Sequence, residues 1–389
     1  MNLKYFLKIA AGVFLCNFSW AAHAQTVQPG TQTNGSAANN VVTAVPFLLI
    51  TPDARSGGMA ETGVAVQPDV NSMSINPSKL AFLEAPYGFS ASYSPWLKNL
   101  VPDINLGYVS GFYKLDKSSV IGGSLRYFSL GRIQFTDANQ QDLGTYTPSE
   151  LAIDATYARR FGDEFSLGTA VRYIYSNLTA GQFSAGQQTK AGKALAVDVS
   201  AYYRKPTFFL GYDAIVAAGL NISNIGTKMS YVDAGDKYFL PTNMKLGVAS
   251  TFIIDDYNEF TLALDFNKLL VPTQPVYDTN GNIMSGKDPN RSVPAGIFGS
   301  FSDAPGGFSE ELKEVTAGLG LEYWYHKQFA FRTGYFYESP KKGDRRYLTL
   351  GAGLKYNQFN LDVAYLLANA QKSPLANTLR FSLLFNFGK

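Results

Sequence analysis

His326 is the one imidazole beyond position 24, and it limits the chemistry this chain could perform. A nucleophilic triad needs a histidine oriented by a carboxylate and set against a nucleophile. Neither partner can be placed beside His326, which sits next to Lys327 at the end of an alternating run and reads as an interfacial aromatic at a strand end. The single cysteine, Cys16, lies in an N-terminal apolar stretch. The remaining chain therefore has no thiol, disulfide, Cys-rich zinc site or multi-His metal site. Glu310, Glu311 and Glu314 could in principle do acid–base work, but beside Lys313 they read as the polar side of a short amphipathic turn. Gly186 with Gly192 and Lys193 imitates a phosphate loop. The spacing is one residue too long, and Ala194 stands where Ser or Thr is required. No catalytic residue, cofactor or metal is expected, and a net charge of +3 gives no case for nucleic acid.

Residues suited to binding are easier to find. Residues 271–313 form a long stretch rich in Gly and Pro that carries Phe298, Phe301, Phe308 and Arg291. Loops of this length usually have a function or lack order. The aromatics read either as a partner surface or as an inward-folded lid. Lys341, Lys342, Arg345 and Arg346 could meet lipopolysaccharide phosphates or an acidic partner, and a solvated basic loop explains them equally well. Nearer the N-terminus, Asp53 and Arg55 are suited to anchoring a plug by ion pairs. Asn76 and Pro77 open a short helix, Asn76 as N-cap and Pro77 in the first turn, and Gly57, Gly58 and Gly63 mark turns.

The elements that must position these residues are strands. From Pro86 onward, fourteen runs alternate apolar and polar residues, centred near 87–97, 103–114, 119–131, 149–160, 165–178, 193–204, 208–224, 241–254, 259–270, 314–326, 329–338, 346–356, 358–369 and 376–388. Successive strand side chains point to opposite faces. One face carries Leu195, Val197, Val199 and Ala201, or Phe359, Leu361, Val363 and Tyr365. The opposite phase carries Asp154, Asp198, Asp265, Glu322 and Asp362 with Arg126, Arg172, Arg332 and Arg380. A face that gathers charges of both signs is the lumen of a closed barrel. The last run sets Leu379, Phe381, Leu383, Phe385 and Phe387 at every second position, a terminal strand suited to barrel assembly. Short connections alternate with mostly longer ones: residues 116–117, 162–164, 205–207, 255–258, 327–328 and 357, against 132–148, 179–192, 225–240, 271–313, 339–345 and 370–375, with 98–102 the one brief member of the second set. Short periplasmic turns and long outer loops produce this rhythm, with both termini on the periplasmic side. A soluble two-sheet sandwich would explain the alternation but not the rhythm or the aromatic last strand.

Hydrophobic residues make up 46% of the chain, yet its mean hydropathy is -0.07. No later run approaches the roughly 20 apolar residues of a spanning helix, whereas a barrel hides its hydrophobicity by alternation. The fold class is thus all-β: a 14-stranded antiparallel transmembrane barrel. Its interior is too wide for wall side chains alone to fill, so residues 41–85 are predicted to form an N-terminal hatch within the lumen, and 86–389 the barrel. Lys4 and Lys8, a short apolar stretch, and Ala22, His23 and Ala24 read as a signal peptide cleaved near Ala24. This places the protein in the outer membrane of a Gram-negative bacterium. Residues 25–40 read as a flexible polar tail.

Two stretches together carry a family resemblance. The first is the run from Pro52 to Ala65 (PDARSGGMAETGVA), followed by Asn76 to Phe82 (NPSKLAF). The second is the run from Gly296 to Phe308 (GIFGSFSDAPGGF), leading to Glu322, Tyr323 and Trp324 and to Arg332, Thr333 and Gly334. Both resemble the PorV (LptO) family, outer-membrane barrels of the Bacteroidetes type IX secretion system within the FadL-like group. The resemblance implies fourteen strands, a hatch and a non-enzymatic role in protein export. The implied partners are cargo C-terminal signal domains, the large translocon barrel, the sortase-like surface attachment complex, and outer-membrane lipid with lipopolysaccharide. A FadL-like transporter of hydrophobic small molecules is the alternative that the fold alone permits. An acyl hydrolase acting on lipopolysaccharide finds no catalytic constellation here.

Overall fold

The computed structural model describes residues 41–97, 103–136, 142–179, 183–184, 187–233, 235–278, 280–368 and 377–388. The expected leader, polar tail and Gly186 lie outside the described residues. Among these residues, fourteen antiparallel strands close into one barrel. They are β1 (Tyr87–Pro95), β2 (Ile104–Lys114), β3 (Ser119–Leu130), β4 (Ser149–Phe161), β5 (Phe165–Asn177), β6 (Gly192–Phe209), β7 (Tyr212–Gly226), β8 (Asn243–Ile253), β9 (Asn258–Leu269), β10 (Thr316–Tyr325), β11 (Phe329–Tyr337), β12 (Arg346–Tyr356), β13 (Phe359–Leu367) and β14 (Leu379–Phe387). Every strand pairs with its sequence neighbours, and β14 closes the ring on β1, with Tyr87 opposite Phe387. Short hairpins extend the longer loops at Ile133–Thr136 with Asp142–Tyr146 and at Val276–Tyr277 with Ile283–Ser285.

The alternation sorts side chains as expected. Leu195, Val199, Phe331 and Leu361 point outward and are exposed, as a lipid-facing wall requires. Asp154, Asp198, Asp265, Glu322, Asp362, Arg126, Arg172, Arg332 and Arg380 point inward and are buried. The connection expected at residues 205–207 is corrected: β6 runs through Pro206 to Phe209, and the turn is Leu210 and Gly211. Pro206 does not break the strand because its missing N–H faces the side where β6 has no neighbour.

Residues 41–85 occupy the lumen. They form short helices at Pro46–Leu49, Ala54–Gly57, Val70–Ser74 and Pro77–Phe82, and hydrogen-bond to wall residues as far apart as Ser200 and Ser382. Wall glycines form the seat. A Cβ added to Gly168 would lie 2.5 Å from the Ser78 nitrogen, and one on Gly334 would lie 2.6 Å from the Met59 carbonyl carbon. Gly58 opens the turn at residues 58–61 as expected, whereas Gly57 is still helical and Gly63 lies outside a turn. The left-handed residues are Ala60 and Glu61, whereas Gly57 and Gly58 lie at or beside the end of Ala54–Gly57 and allow close approach to Arg380 and Gly351.

Candidate functional site: a seated hatch and a braced loop

The hatch is held by buried charge. Asp53 caps the helix Ala54–Gly57, its carboxylate accepting from the Ser56 N–H at 2.8 Å. Arg55 then projects into the wall and donates to both oxygens of Glu322, at 2.9 Å and 2.7 Å, and to Asp69 and the Gln67 carbonyl, each at 2.9 Å. Glu322 also receives Arg332, which bonds onward to Asp362 at 2.6 Å. Asp69, Arg55, Glu322, Arg332 and Asp362 thus form one alternating chain of charge from hatch to wall. Burial opposes the Arg55 charge, but Glu322 and Asp69 outweigh it and hold its pKa well above the ordinary value. Asp53 is shifted upward by burial and then by Asp69.

Asn76 performs its predicted cap, accepting from the Ser78 N–H, while its amide donates to the carbonyls of Val64 and Ala201. Pro77 follows in the first turn. Sequence reasoning missed Lys79, which is fully buried and donates to the Gly63 carbonyl at 2.7 Å. Burial pushes its ammonium down to about 8, against the opposing pull of Asp69. It also missed the glycine seat, whose one signal was glycine at lumen-phase positions of the strands.

Beyond the end of β9, the described part of residues 271–313 is braced rather than loose. Lys268 on β9 donates to Glu311 and Glu314 at 2.9 Å and 2.7 Å. Lys342 donates to Glu310 and Glu314 at 2.6 Å and 3.0 Å. Thr273 donates to Glu314, and Glu311 accepts the backbone N–H groups of Asp303 and Ala304. The three glutamates are therefore a latch. Burial raises the Glu314 pKa, but hydrogen bonds from Lys268 and Thr273 and the two lysine charges leave it below its ordinary value. On the braced loop, Phe298 and Phe308 are 78% and 76% exposed, with Phe301 and Leu312 beside them also exposed. Arg291 turns inward, donating to the Asp288 carbonyl and lying 3.8 Å from Asp303.

Three of the four residues of the basic cluster are paired within the chain, and Lys341 is exposed. Lys342 is committed to the latch, Arg345 pairs with Glu338 at 2.8 Å, and Arg346 pairs with Asp344 at 2.7 Å. His326 lies in the turn after β10 at φ 53°, its ring 4.1 Å from Tyr257 and 4.6 Å from Tyr325. Among the described residues no group of His, Cys, Asp and Glu could hold a metal ion, and no helix is long and apolar enough to cross a membrane.

A closed barrel with a lipid-facing apolar wall and a plugged polar lumen defines an outer-membrane β-barrel protein. The model of the type IX secretion system protein PorV matches residues 33–276. The chain belongs to the PorV family and is an outer-membrane component of type IX secretion. A comparison with curated protein sequences finds no match. Among solved structures the chain is similar to the Pseudomonas putida toluene transporter TodX, at 11% identity over 87% of this chain and 99% of that one, with a TM-score of 0.49. It is also similar to the Ralstonia pickettii toluene transporter TbuX, at 12% identity over 86% and 98%, with a TM-score of 0.46. A Pseudomonas aeruginosa FadL homologue aligns at 11% identity over 87% and 99%, with a TM-score of 0.45.

Proposed function

We propose that this barrel is a non-enzymatic carrier. It binds the C-terminal signal domain of cargo leaving the large translocon barrel and hands it to the sortase-like attachment complex at the cell surface. The observation that carries this reading is the exposure of Phe298 and Phe308 on a loop braced by Lys268, Lys342 and their glutamates. Large exposed aromatics on a pre-organised support are what an interface anchor requires, because little ordering remains to be done on binding. The loops lie at the cell surface, beside lipopolysaccharide, and the short turns face the periplasm.

The test is replacement of Phe298, Phe301 and Phe308 together by Ser. The strands are untouched, so the barrel should assemble at wild-type level. Affinity for an isolated signal domain should fall by several kcal/mol, from roughly 1–4 kcal/mol per aromatic anchor. Normal cargo display by the triple variant overturns this reading.

A second reading, transport of hydrophobic small molecules, is supported by one cavity of about 430 Å³ between the hatch and the loop-end wall. Pro46, Leu49, Leu269 and Phe336 line it together with the charged Glu61, Lys245, Glu314, Glu338, Lys342 and Arg345, so an amphipathic occupant suits it better than a purely apolar one. A lipid or aromatic ligand co-purifying at one per barrel would favour this reading, and co-purifying signal domains the first.

A further inference from the structure

At the short-turn end the hairpin of β6 and β7 loses its β5 neighbour, while β7 stays paired with β8 as far as Asp213. β5 begins at Phe165, opposite Tyr203, yet β6 continues to Phe209. Residues 205–209 therefore pair with β7 alone, and Phe209 lies roughly 20 Å along the strand past the last β5 pair at about 3.3 Å per residue. Leu210 and Gly211 form the tip at φ 52° and 86°, a two-residue turn of the kind that normally takes Asn or Gly. Leucine is strained there. It is also 72% exposed, and Phe208 is 70% exposed.

Lipid does not account for this tip. Phe208 shares the lumen phase of Asp198 and Ser200, whereas Phe209 and Tyr212 lie on the lipid-side phase, so apolar groups project from both faces. The Arg204 N–H still donates to the Glu164 carbonyl on the β5 side. The corresponding backbone groups of residues 206 and 208 then face an open edge, which hydrocarbon does not tolerate. Pro206 blunts that edge against an added strand, which leaves the side chains as the contact surface. The nearby cations are turned elsewhere: Arg204 lies over the Phe82 ring of the hatch at 5.6 Å, and Lys205 lies 3.8 Å from Glu164. Exposed carboxylates border the tip, Asp213 on β7 and Asp256 in the turn after β8, whereas Asp255 accepts from Tyr257 and Asn258 within its own turn.

We propose that this hairpin tip docks a water-soluble periplasmic protein whose apolar pocket is rimmed by Lys or Arg. Phe208 and Leu210 enter the pocket, and Asp213 and Asp256 meet its rim. The site lies at the opposite end of the barrel from the braced loop and does not depend on how cargo is bound there.

The test places a photo-crosslinking residue at position 210 of the full-length protein in living cells. The expected result is a protein adduct of discrete mass. Its yield should fall about tenfold or more in the Asp213→Lys, Asp256→Lys double variant, as like charges replace a complementary rim, while heat-modifiable gel mobility stays normal. If that variant assembles poorly, Leu210→Asn relieves the strained turn and removes the apolar tip, and a crosslinker at position 212 should then lose its adduct. Adducts with phospholipid alone, adducts with a second copy of this chain alone, an unchanged yield after charge reversal, or no adduct would each overturn the proposal.

Discussion

Replacing Arg55 by Leu should unseat the hatch while leaving the wall closed. Arg55 donates four hydrogen bonds, two to Glu322, one to Asp69 and one to the Gln67 carbonyl. Its loss strands Asp69 and leaves Glu322 with Arg332 alone. Removing one member of a buried ion pair costs about 3–5 kcal/mol. At 1.4 kcal/mol per factor of ten, the ratio of displaced to seated hatch rises roughly a hundred to several thousand-fold. The assay is conductance in planar bilayers, together with proteolysis of residues 41–85 in proteoliposomes. The variant should open intermittently and be cleaved faster. Combining Arg55→Leu with Glu322→Leu should recover much of the loss, because the double change preserves net charge. Arg332 keeps Asp362, and the partly exposed Asp69 can be hydrated. A single variant as silent and as protease-resistant as the parent would refute the reasoning. So would a double variant whose defect is the sum of the two singles.

Other consequences can be measured separately. Glu314 has a folded-state pKa below its ordinary 4.5, so its stabilisation is complete above that value and is lost as pH falls through the depressed folded pKa. The protection of amides in residues 271–313, taken relative to intrinsic exchange at each pH, should therefore fall in acid, and Glu314→Gln should show the lowered protection already at neutral pH. Lys79 gives the same sign in an alkaline window, because its folded-state pKa is also lowered. Its pKa is lowered from 10.5 to about 8, so between those values the unfolded chain holds a proton that the folded one has released, and stability rises with pH. The gain is about 3 kcal/mol at 1.36 kcal/mol per pKa unit, readable as a rising urea midpoint for hatch release that Lys79→Met abolishes. Gly168→Val should favour a strand yet drive its side chain into the Ser78 backbone, giving a well-inserted barrel that conducts. If it stays silent, the seat tolerates more volume than the geometry allows.

Much of the wall was legible because its signal is local and repeated. Leu195, Val197 and Val199 against Asp198 state a face within a few residues, and fourteen such runs state a ring. The hatch was legible only as a gap in that pattern. Arg55 and Glu322 are 267 positions apart, and nothing near either residue names the other. The latch was hidden in the same way: Glu310 and Glu314 resembled a surface turn, and Lys342 a solvated basic loop, until the barrel mouth brought them together. The turn at Leu210 was misplaced because Pro206 punctuates a strand only where its missing N–H matters, and that depends on a neighbour which the sequence does not display.

The strand that closes the ring also touches the plug. Ser382 on β14 accepts the Ala54 N–H at 2.8 Å and lies 2.7 Å from Ser92 on β1. Arg380, two residues earlier on β14, packs against Gly57 and reaches Glu61 at 3.4 Å. The final seam of the wall thus carries groups from the first strand, the last strand and the hatch in one hydrogen-bonded set. Closing around an empty lumen would leave Ser382 and Arg380 short of partners in a place where unmatched polar groups are costly. Closure and sealing therefore reinforce each other during biogenesis. A chain that reaches its last strand with the hatch in place has least to lose by closing, which limits the time a newly inserted barrel could leak ions across the outer membrane.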